Sequence, residues 1–170
     1  MSLIHVCPLC ELEPILRTTR AQWLISLSGP GKTQYPAAQL VGGHLALEFN
    51  DIGHPQPGLV PPGADHVRKM LDFLDRWNDS ADLVIQCWMG ISRSTAAAAI
   101  AMAWCNPQAD MGKLAQNLRD RSPMATPNPR MIALADDMLN FDGRLRDAIH
   151  SIGRGVDASL GKPFTLETGP

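Results

Sequence analysis

The sequence predicts a single α/β domain of three layers, in which helices flank a central, mostly parallel sheet. Two observations predict this fold class. Strand patterns alternate with amphipathic helix patterns along the chain, which is typical of a sheet covered by helices on both faces. The chain also has 170 residues, a length that suits one domain with a substantial core. We therefore expect residues 1–170 to form one domain, with a loose tail from about residue 153.

The first part of the chain contains three predicted strands and one predicted helix. "LIHVCPL" (3–9) and "WLISLSG" (23–29) are short apolar runs, and "HLALEFND" (44–51) alternates apolar and polar residues. "LEPILRTTRAQ" (12–22) indicates a short helix between the first two strands. Residues 52–63 are rich in Gly and Pro, which continue neither a helix nor a central strand, so a loop is predicted there.

The rest of the chain is mainly helical around one buried strand. Residues 64–77 form an amphipathic helix, with Asp65 as its expected N-cap. The apolar residues of this helix share one face: Val67, Met70, Leu71 and Leu74. "DLVIQC" (82–87) is an apolar run of the kind found in the middle of a parallel sheet. Three further helices are predicted, at 92–104, 110–121 and 129–149.

Composition and charge exclude several classes of protein. The formal net charge is −2, so no broad basic surface is expected, which argues against nucleic acid or an anionic membrane as the main partner. No apolar run approaches the roughly 20 residues that span a bilayer. The first residues lack the basic region of a signal peptide, so we expect a cytoplasmic protein. The oligomeric state stays open.

The four cysteines do not form an evident metal or disulfide framework. Without an export signal, disulfides are not expected. Cys7 and Cys10 form a lone C-x-x-C, whereas a zinc site needs about four ligands. A metal site and a redox role are weaker interpretations than two buried thiols on the first strand. We expect neither a metal nor another cofactor.

"SGPGKT" (28–33) has part of a nucleotide-binding P-loop pattern. The full pattern needs Gly at position 26, where this chain has Ser26, and a helix directly after Lys32. Residues 34–39 are a poor helix, so we predict a turn at the end of a strand. Lys32 remains available to attract an anionic substrate at the edge of a pocket.

A cysteine and an arginine lie at the two ends of the turn that follows strand 82–87. The backbone N–H groups of such a turn and of a helix N-terminus form a cradle for an oxyanion such as phosphate. Arg93 adds a planar fork that can grip two phosphate oxygens. The same positive environment favours the thiolate of Cys87, which we expect to attack phosphorus. Gly90 suits the tight turn, and Ser94 can donate a hydrogen bond to the departing sulfur.

The residues inside this turn are expected to bind the phosphoryl group: Trp88, Met89, Gly90, Ile91, Ser92 and Arg93. Trp88 and Met89 either shape the rim of the pocket or belong to the core, and the sequence leaves both open. None of residues 88–92 is charged, whereas a phosphoinositide with several phosphates favours Lys or Arg there. Phosphorylated proteins or small phosphomonoesters are therefore favoured as substrates.

"CWMGISRS" (87–94) resembles the signature loop of the cysteine-dependent protein tyrosine phosphatases, most of all that of the compact dual-specificity branch. "LRDRSPMATPNPRMIALADDML" (118–139) is similar to the segment that follows this loop, and the resemblance runs from Leu45 to Leu139. It implies a phosphocysteine intermediate, no metal, and an upstream aspartic acid as general acid. The family usually has His directly before the cysteine, where this chain has Gln86, which gives a thiolate less support.

Asp51 is the candidate for the general acid that the resemblance implies. It lies 36 residues before Cys87, where the predicted strand ends and the Pro/Gly-rich loop begins. Such a loop can close over a substrate. Alternatively, Asp51 only caps a turn. His54 is the second candidate, because histidine titrates near neutral pH.

The sequence therefore favours a protein tyrosine or dual-specificity phosphatase. Two alternatives stay open. Gln86 suggests a catalytically weak module of the same fold that recognises phosphate. A rhodanese-type sulfurtransferase also uses a loop cysteine, but it would leave the loop that begins at Asp51 without a purpose.

Overall fold

The computed structural model describes residues 2–33 and 40–169, which form five strands and six α-helices. The strands are β1 (Leu3–Pro8), β2 (Trp23–Ser28), β3 (Gly43–Glu48), β4 (Leu83–Cys87) and β5 (Phe164–Glu167). The helices are α1 (Leu12–Thr18), α2 (Ala64–Trp77), α3 (Arg93–Cys105), α4 (Met111–Arg121), α5 (Pro129–Met138) and α6 (Arg144–Ser151). A short 3₁₀ turn, Leu9–Glu11, leads from β1 into α1.

The strands form one sheet in the order β3-β2-β4-β1-β5. The first four strands are parallel, and β5 runs antiparallel to β1. β4 is the central strand, and all of its residues are buried, as its apolar run predicts. Its carboxyl end therefore lies in the middle of the sheet edge at which α/β proteins bind ligands. The predicted mostly parallel sheet flanked by helices is confirmed.

Helices cover both faces of the sheet. On one face, Ile25 and Ile85 belong to a large core shared with residues of α2, α3, α4, α5 and α6. On the other face, Leu24 and Val84 form a smaller cluster with residues of α1. The alternation of side chains along β2 and β4 directs neighbouring residues to opposite faces. Residues 96–99 of α3 are fully buried alanines, whose small side chains allow this helix to pack close beneath the sheet.

The predicted helix at 129–149 is wrong in one respect, because this segment forms two helices, α5 and α6. Between them Asp142 adopts a left-handed backbone conformation, with φ 52°. The buried carboxylate of Asp136 accepts hydrogen bonds from the N–H groups of Gly143 and Leu145, at 2.6 and 2.8 Å. These bonds satisfy the N-terminus of α6 and stabilise a break that the helical period of apolar residues does not reveal.

The expectation of a loose tail from residue 153 is also wrong. The tail contains β5, which pairs with β1 at the edge of the sheet. Before β5, the N–H of Gly155 donates to the hydroxyl of Thr126 at 3.1 Å, and the N–H of Gly161 donates to the carbonyl of Met89 at 2.8 Å. The tail thus fastens the loop after β4, through contacts between residues far apart in sequence.

The N-cap of α2 is Gly63 rather than Asp65. The N–H of Gly63 donates to Nδ1 of His66 at 3.0 Å, while Asp65 lies in the first turn and pairs with Arg68 at 2.6 Å. β3 ends at Glu48, earlier than predicted. None of the helices in the described part of the chain is long and apolar enough to cross a membrane.

The segment 28–33 forms a hydrogen-bonded turn at the end of β2. The hydroxyls of Ser28 and Thr33 lie 2.8 Å apart, and the N–H of Gly31 donates to Glu48 at 2.9 Å. The expectation that residues 34–39 are a poor helix lies outside the described residues.

Candidate active site

Residues 88–92 form a tight loop between the buried end of β4 and the first turn of α3. Gly90 has a left-handed backbone, with φ 69°, and a Cβ at this position would lie 2.7 Å from the backbone nitrogen of Pro8. Only glycine meets both conditions without strain. The segment before α5 also contacts the loop, because the N–H of Thr126 donates to the carbonyl of Ile91 at 2.9 Å.

The sulfur of Cys87 lies at the base of this loop, and the residue is 2% exposed. The N–H of Gly90 donates to the sulfur at 3.2 Å. The hydroxyl of Ser94, which is itself fully buried, lies 3.1 Å from the sulfur. Both groups can donate to an ionised sulfur, so they stabilise negative charge there.

Arg93 is buried at the start of α3, with 7% exposure. Its Nη1 donates to the carbonyl of Phe49 at 3.0 Å, which fixes the guanidinium under the loop. Its Nε lies 3.9 Å from Oδ2 of Asp51, too far for a hydrogen bond, and has no hydrogen-bond partner among the described residues. A buried N–H without an acceptor is unfavourable, and an incoming anion would supply the missing acceptor.

Asp51 follows β3 and reaches across to the same loop. Its Oδ1 accepts hydrogen bonds from the hydroxyl of Ser92 and from Nδ2 of Asn128, both at 2.8 Å. Asn128 also caps α5, because its Oδ1 accepts from the N–H groups of Arg130 and Met131, each at 3.1 Å. Our sequence reasoning missed Asn128 as a site residue. The Asn-Pro pair, a helix-start signal inside the segment similar to the phosphatases, was the indication available.

A cavity of about 510 Å³ lies over these residues. Seven of the predicted residues line it: Asp51, Cys87, Trp88, Met89, Ile91, Ser92 and Arg93. Gly90 and Ser94 are not among the lining residues, but the N–H of Gly90 and the hydroxyl of Ser94 contact the sulfur of Cys87. The described lining does not include His54. Residues 154–158 of the tail form another wall, which the expectation of a loose tail did not foresee.

Trp88 and Met89 form the rim of this cavity rather than part of the core. Trp88 is 61% exposed and Met89 is 38% exposed, which settles the alternative that the sequence left open. Gln86 is buried at 3% exposure and lines a neighbouring cavity together with Lys32.

The other cysteines lie in different environments. The prediction of two buried thiols on the first strand is confirmed for Cys7 and wrong for Cys10, which is exposed in the 3₁₀ turn. Burial, together with the nearby Cys87, raises the pKa of the Cys7 thiol to about 12, and burial raises the pKa of Cys105 to about 12 as well. Both therefore stay protonated and unreactive near neutral pH. Within 2–33 and 40–169, no group of three or more His, Cys, Asp and Glu side chains is arranged to hold a metal ion.

The fold is that of the dual-specificity and protein tyrosine phosphatases. The PTP-2 phosphatase of Cydia pomonella superposes with a TM-score of 0.59 at 17% identity, over 79% of this chain and 84% of that one. Human DUSP28 gives a TM-score of 0.58 at 14% identity, over 81% and 92%. The human tyrosine phosphatase-like serine/threonine/tyrosine-interacting protein gives 0.57 at 13% identity, over 80% and 87%.

Sequence comparison adds no relative to these structures. No protein-family model matches the chain. No curated protein is detectably similar to it in sequence. At the identities given above, the solved structures establish the fold, and the resemblance of "CWMGISRS" and its surroundings to the phosphatases is confirmed at that level.

Proposed function

We propose that this protein is a cysteine-dependent phosphomonoesterase of the protein tyrosine or dual-specificity type, acting through a phosphocysteine intermediate. One observation carries the proposal. Cys87 and the buried Arg93 line the same cavity, and the Nε of Arg93 has no acceptor in the described part of the chain. A phosphoryl group over the sulfur would supply that acceptor and would accept hydrogen bonds from the backbone N–H groups of the loop.

In the first step, the thiolate of Cys87 attacks phosphorus. The S–P bond forms while the ester O–P bond breaks, and Asp51 donates its proton to the departing oxygen. The products are the free alcohol or phenol, the phosphocysteine and the Asp51 carboxylate. Arg93 and the loop N–H groups hold the three equatorial oxygens, on which the transition-state charge is spread.

In the second step, water attacks the phosphocysteine. Asp51 takes the proton from water, the S–P bond breaks, and inorganic phosphate leaves. The electron pair returns to sulfur, where the hydroxyl of Ser94, 3.1 Å away, and the N–H of Gly90 stabilise the thiolate.

Phosphotyrosine and mixed phosphoprotein substrates suit this site. The loop interior, residues 88–92, carries no charged side chain, so it is built for one phosphoryl group. The exposed ring of Trp88 at the rim offers a surface for an aromatic leaving group.

Hydrolysis of p-nitrophenyl phosphate by wild type and by Cys87→Ser tests the proposal. We expect the serine variant to lose turnover and to keep its circular dichroism spectrum. Cys10→Ser is the matched control, because it removes an exposed thiol and should hydrolyse the ester like wild type. Equal rates for wild type and Cys87→Ser would end the catalytic proposal, and thiosulfate:cyanide activity would replace it with sulfur transfer.

Recognition of phosphate without turnover is the second candidate function. Gln86, which stands where the phosphatases usually have His, favours it, since a buried neutral amide gives less support to a thiolate. Wild-type protein that binds a phosphotyrosine peptide but hydrolyses neither it nor p-nitrophenyl phosphate would establish this candidate.

A further inference from the structure

A second cavity, of about 330 Å³, adjoins the candidate active site on the side of β2. Trp88 and Arg93 line both this cavity and the one that contains Cys87. Because the side chain of Trp88 is exposed and borders both cavities, a peptide that passes over it can contact both. Three more lining residues matter to the chemistry of the second cavity: Leu9, Lys32 and Gln86.

The second cavity carries positive charge. Lys32 forms no ion pair with any residue of 2–33 or 40–169. The carboxylate of Glu48, at the end of the neighbouring strand, accepts a hydrogen bond from the N–H of Gly31 at 2.9 Å instead. The ammonium group of Lys32 therefore adds to the charge of Arg93 on this side of the loop, and both attract an anion.

The remaining lining suits an anionic side chain rather than a bare ion. Leu9 and the exposed ring of Trp88 offer apolar contact for an alkyl stem. Gln86, which is buried, also lines the cavity, and its amide can supply N–H donors without adding charge. Such a combination matches a short side chain that ends in a carboxylate or a phosphate.

We propose that this second cavity binds an acidic or phosphorylated side chain next to the phosphorylated residue of a peptide substrate. The proposal rests on the proposed function and defines the class of substrate for the same site. The phosphoryl group to be cleaved lies over Cys87, and the neighbouring anionic group lies against Lys32 and Gln86. Lys32 is then a determinant of specificity that takes no part in the chemistry.

Binding of matched phosphotyrosine peptides to the Cys87→Ser protein tests this proposal by calorimetry. The peptides are identical except that phosphotyrosine is flanked by Gln, by Glu or by phosphoserine. We expect the two anionic peptides to bind about fivefold more tightly than the Gln peptide at low salt, as one partly exposed charge pair permits. The preference should decrease as salt is added.

Lys32→Ala in the same background should remove this preference, and Lys32→Glu should reverse it. Lys113→Ala is the matched control, because it removes an equal charge from an exposed position on α4 and should leave the ratio unchanged. The deciding quantity is the ratio of the affinity for an anionic peptide to the affinity for the Gln peptide. A ratio near one for the Cys87→Ser protein, or a ratio that both Lys32 variants leave unchanged, would overturn the proposal. If the wild-type protein does not hydrolyse p-nitrophenyl phosphate, the proposed function is contradicted. The ratio of peptide affinities tests the role of the second cavity separately, whether or not hydrolysis occurs.

Discussion

Asp51 is restrained in the cavity through one of its two carboxylate oxygens. Oδ1 accepts from Ser92 and Asn128, and Oδ2 lies 3.9 Å from the Nε of Arg93. Oδ2 accepts no hydrogen bond from the described residues. In the proposed mechanism, Oδ2 is therefore the oxygen that carries the proton to the leaving group.

Replacing Asp51 with Asn should lower kcat by about 10²–10⁴-fold for phenyl phosphate, because Asn keeps the shape and cannot donate a proton. The loss should be smaller for p-nitrophenyl phosphate, whose leaving group departs more readily without protonation. Steady-state rates on the two esters measure this difference. His54→Ala should leave both rates unchanged, and a larger loss from His54→Ala than from Asp51→Asn would show that the acid is misassigned.

The loop after β4 depends on close packing against β1. At Gly90, a side chain would meet the backbone of Pro8 and would also have to adopt φ 69°. Gly153 has a similar φ of 63°, but a Cβ there would meet nothing within 4 Å. The two glycines therefore separate the effect of backbone strain from the effect of a steric clash.

Gly153→Ala should lower the free energy of unfolding by about 1 kcal/mol, the cost of a left-handed alanine, and should leave turnover intact. Gly90→Ala should be more destabilising and should abolish turnover, because the loop must move away from β1. Urea denaturation and p-nitrophenyl phosphate hydrolysis measure the two effects. Equal stability and equal activity for the two variants would contradict the close packing.

α5 begins beside the cavity that contains Cys87, and its N-cap residue also contacts Asp51, the proposed general acid. Asn128 caps α5 and contacts Asp51, whereas Asp110 caps α4 through the N–H groups of Gly112 and Lys113 and lies outside the cavity lining. Each cap accepts two backbone hydrogen bonds. The two helices thus have comparable N-caps, and only the cap residue of α5 also contacts Asp51.

Asn128→Ala and Asp110→Ala should each lower the free energy of unfolding by about 1 kcal/mol. Only Asn128→Ala should also lower kcat, and more for phenyl phosphate than for p-nitrophenyl phosphate, because a poorly positioned Asp51 matters most for the slower leaving group. Denaturation curves and rates on the two esters check this. If Asp110→Ala reduced kcat as strongly, the role of Asn128 would be one of stability alone.

At the scale of the whole molecule, we expect two histidines to make stability depend on pH. Burial lowers the pKa of His44, and burial with the nearby Lys69 lowers that of His66, both from an ordinary value of 6.5. The Nδ1 of His66 accepts from the N–H of Gly63 at 3.0 Å, which requires a neutral imidazole. A lowered pKa gives stability that is complete above 6.5 and is lost as the pH falls below it, since the unfolded chain then binds more protons.

We therefore expect a lower free energy of unfolding at about pH 5 than at about pH 7.5, measured by urea denaturation. His66→Gln should weaken this dependence, because Gln at this helix position can still accept from Gly63 and does not titrate. An unchanged pH dependence in His66→Gln would exclude His66 as a contributor and leave His44.

Elements set by local pattern could be predicted from the sequence, and elements set by distant contacts could not. The apolar run of β4 and the helical period of α2 can be recognised in the sequence. The loop between Cys87 and Arg93 can be predicted from Gly90 and from the strand and helix patterns on either side. The division of 129–149 depends on the carboxylate of Asp136, and β5 depends on pairing with β1. In the same way, the contact of Asn128 with Asp51 joins residues 77 positions apart.

Trp88 gives this molecule a built-in optical reporter. It is the exposed member of the four tryptophans and stands at the mouth of both cavities, whereas Trp77 is fully buried and Trp23 and Trp104 are partly covered. A compound that settles beside its indole removes water from the ring and so changes the emission. Occupancy can thus be followed by intrinsic fluorescence in the native protein, with no label attached.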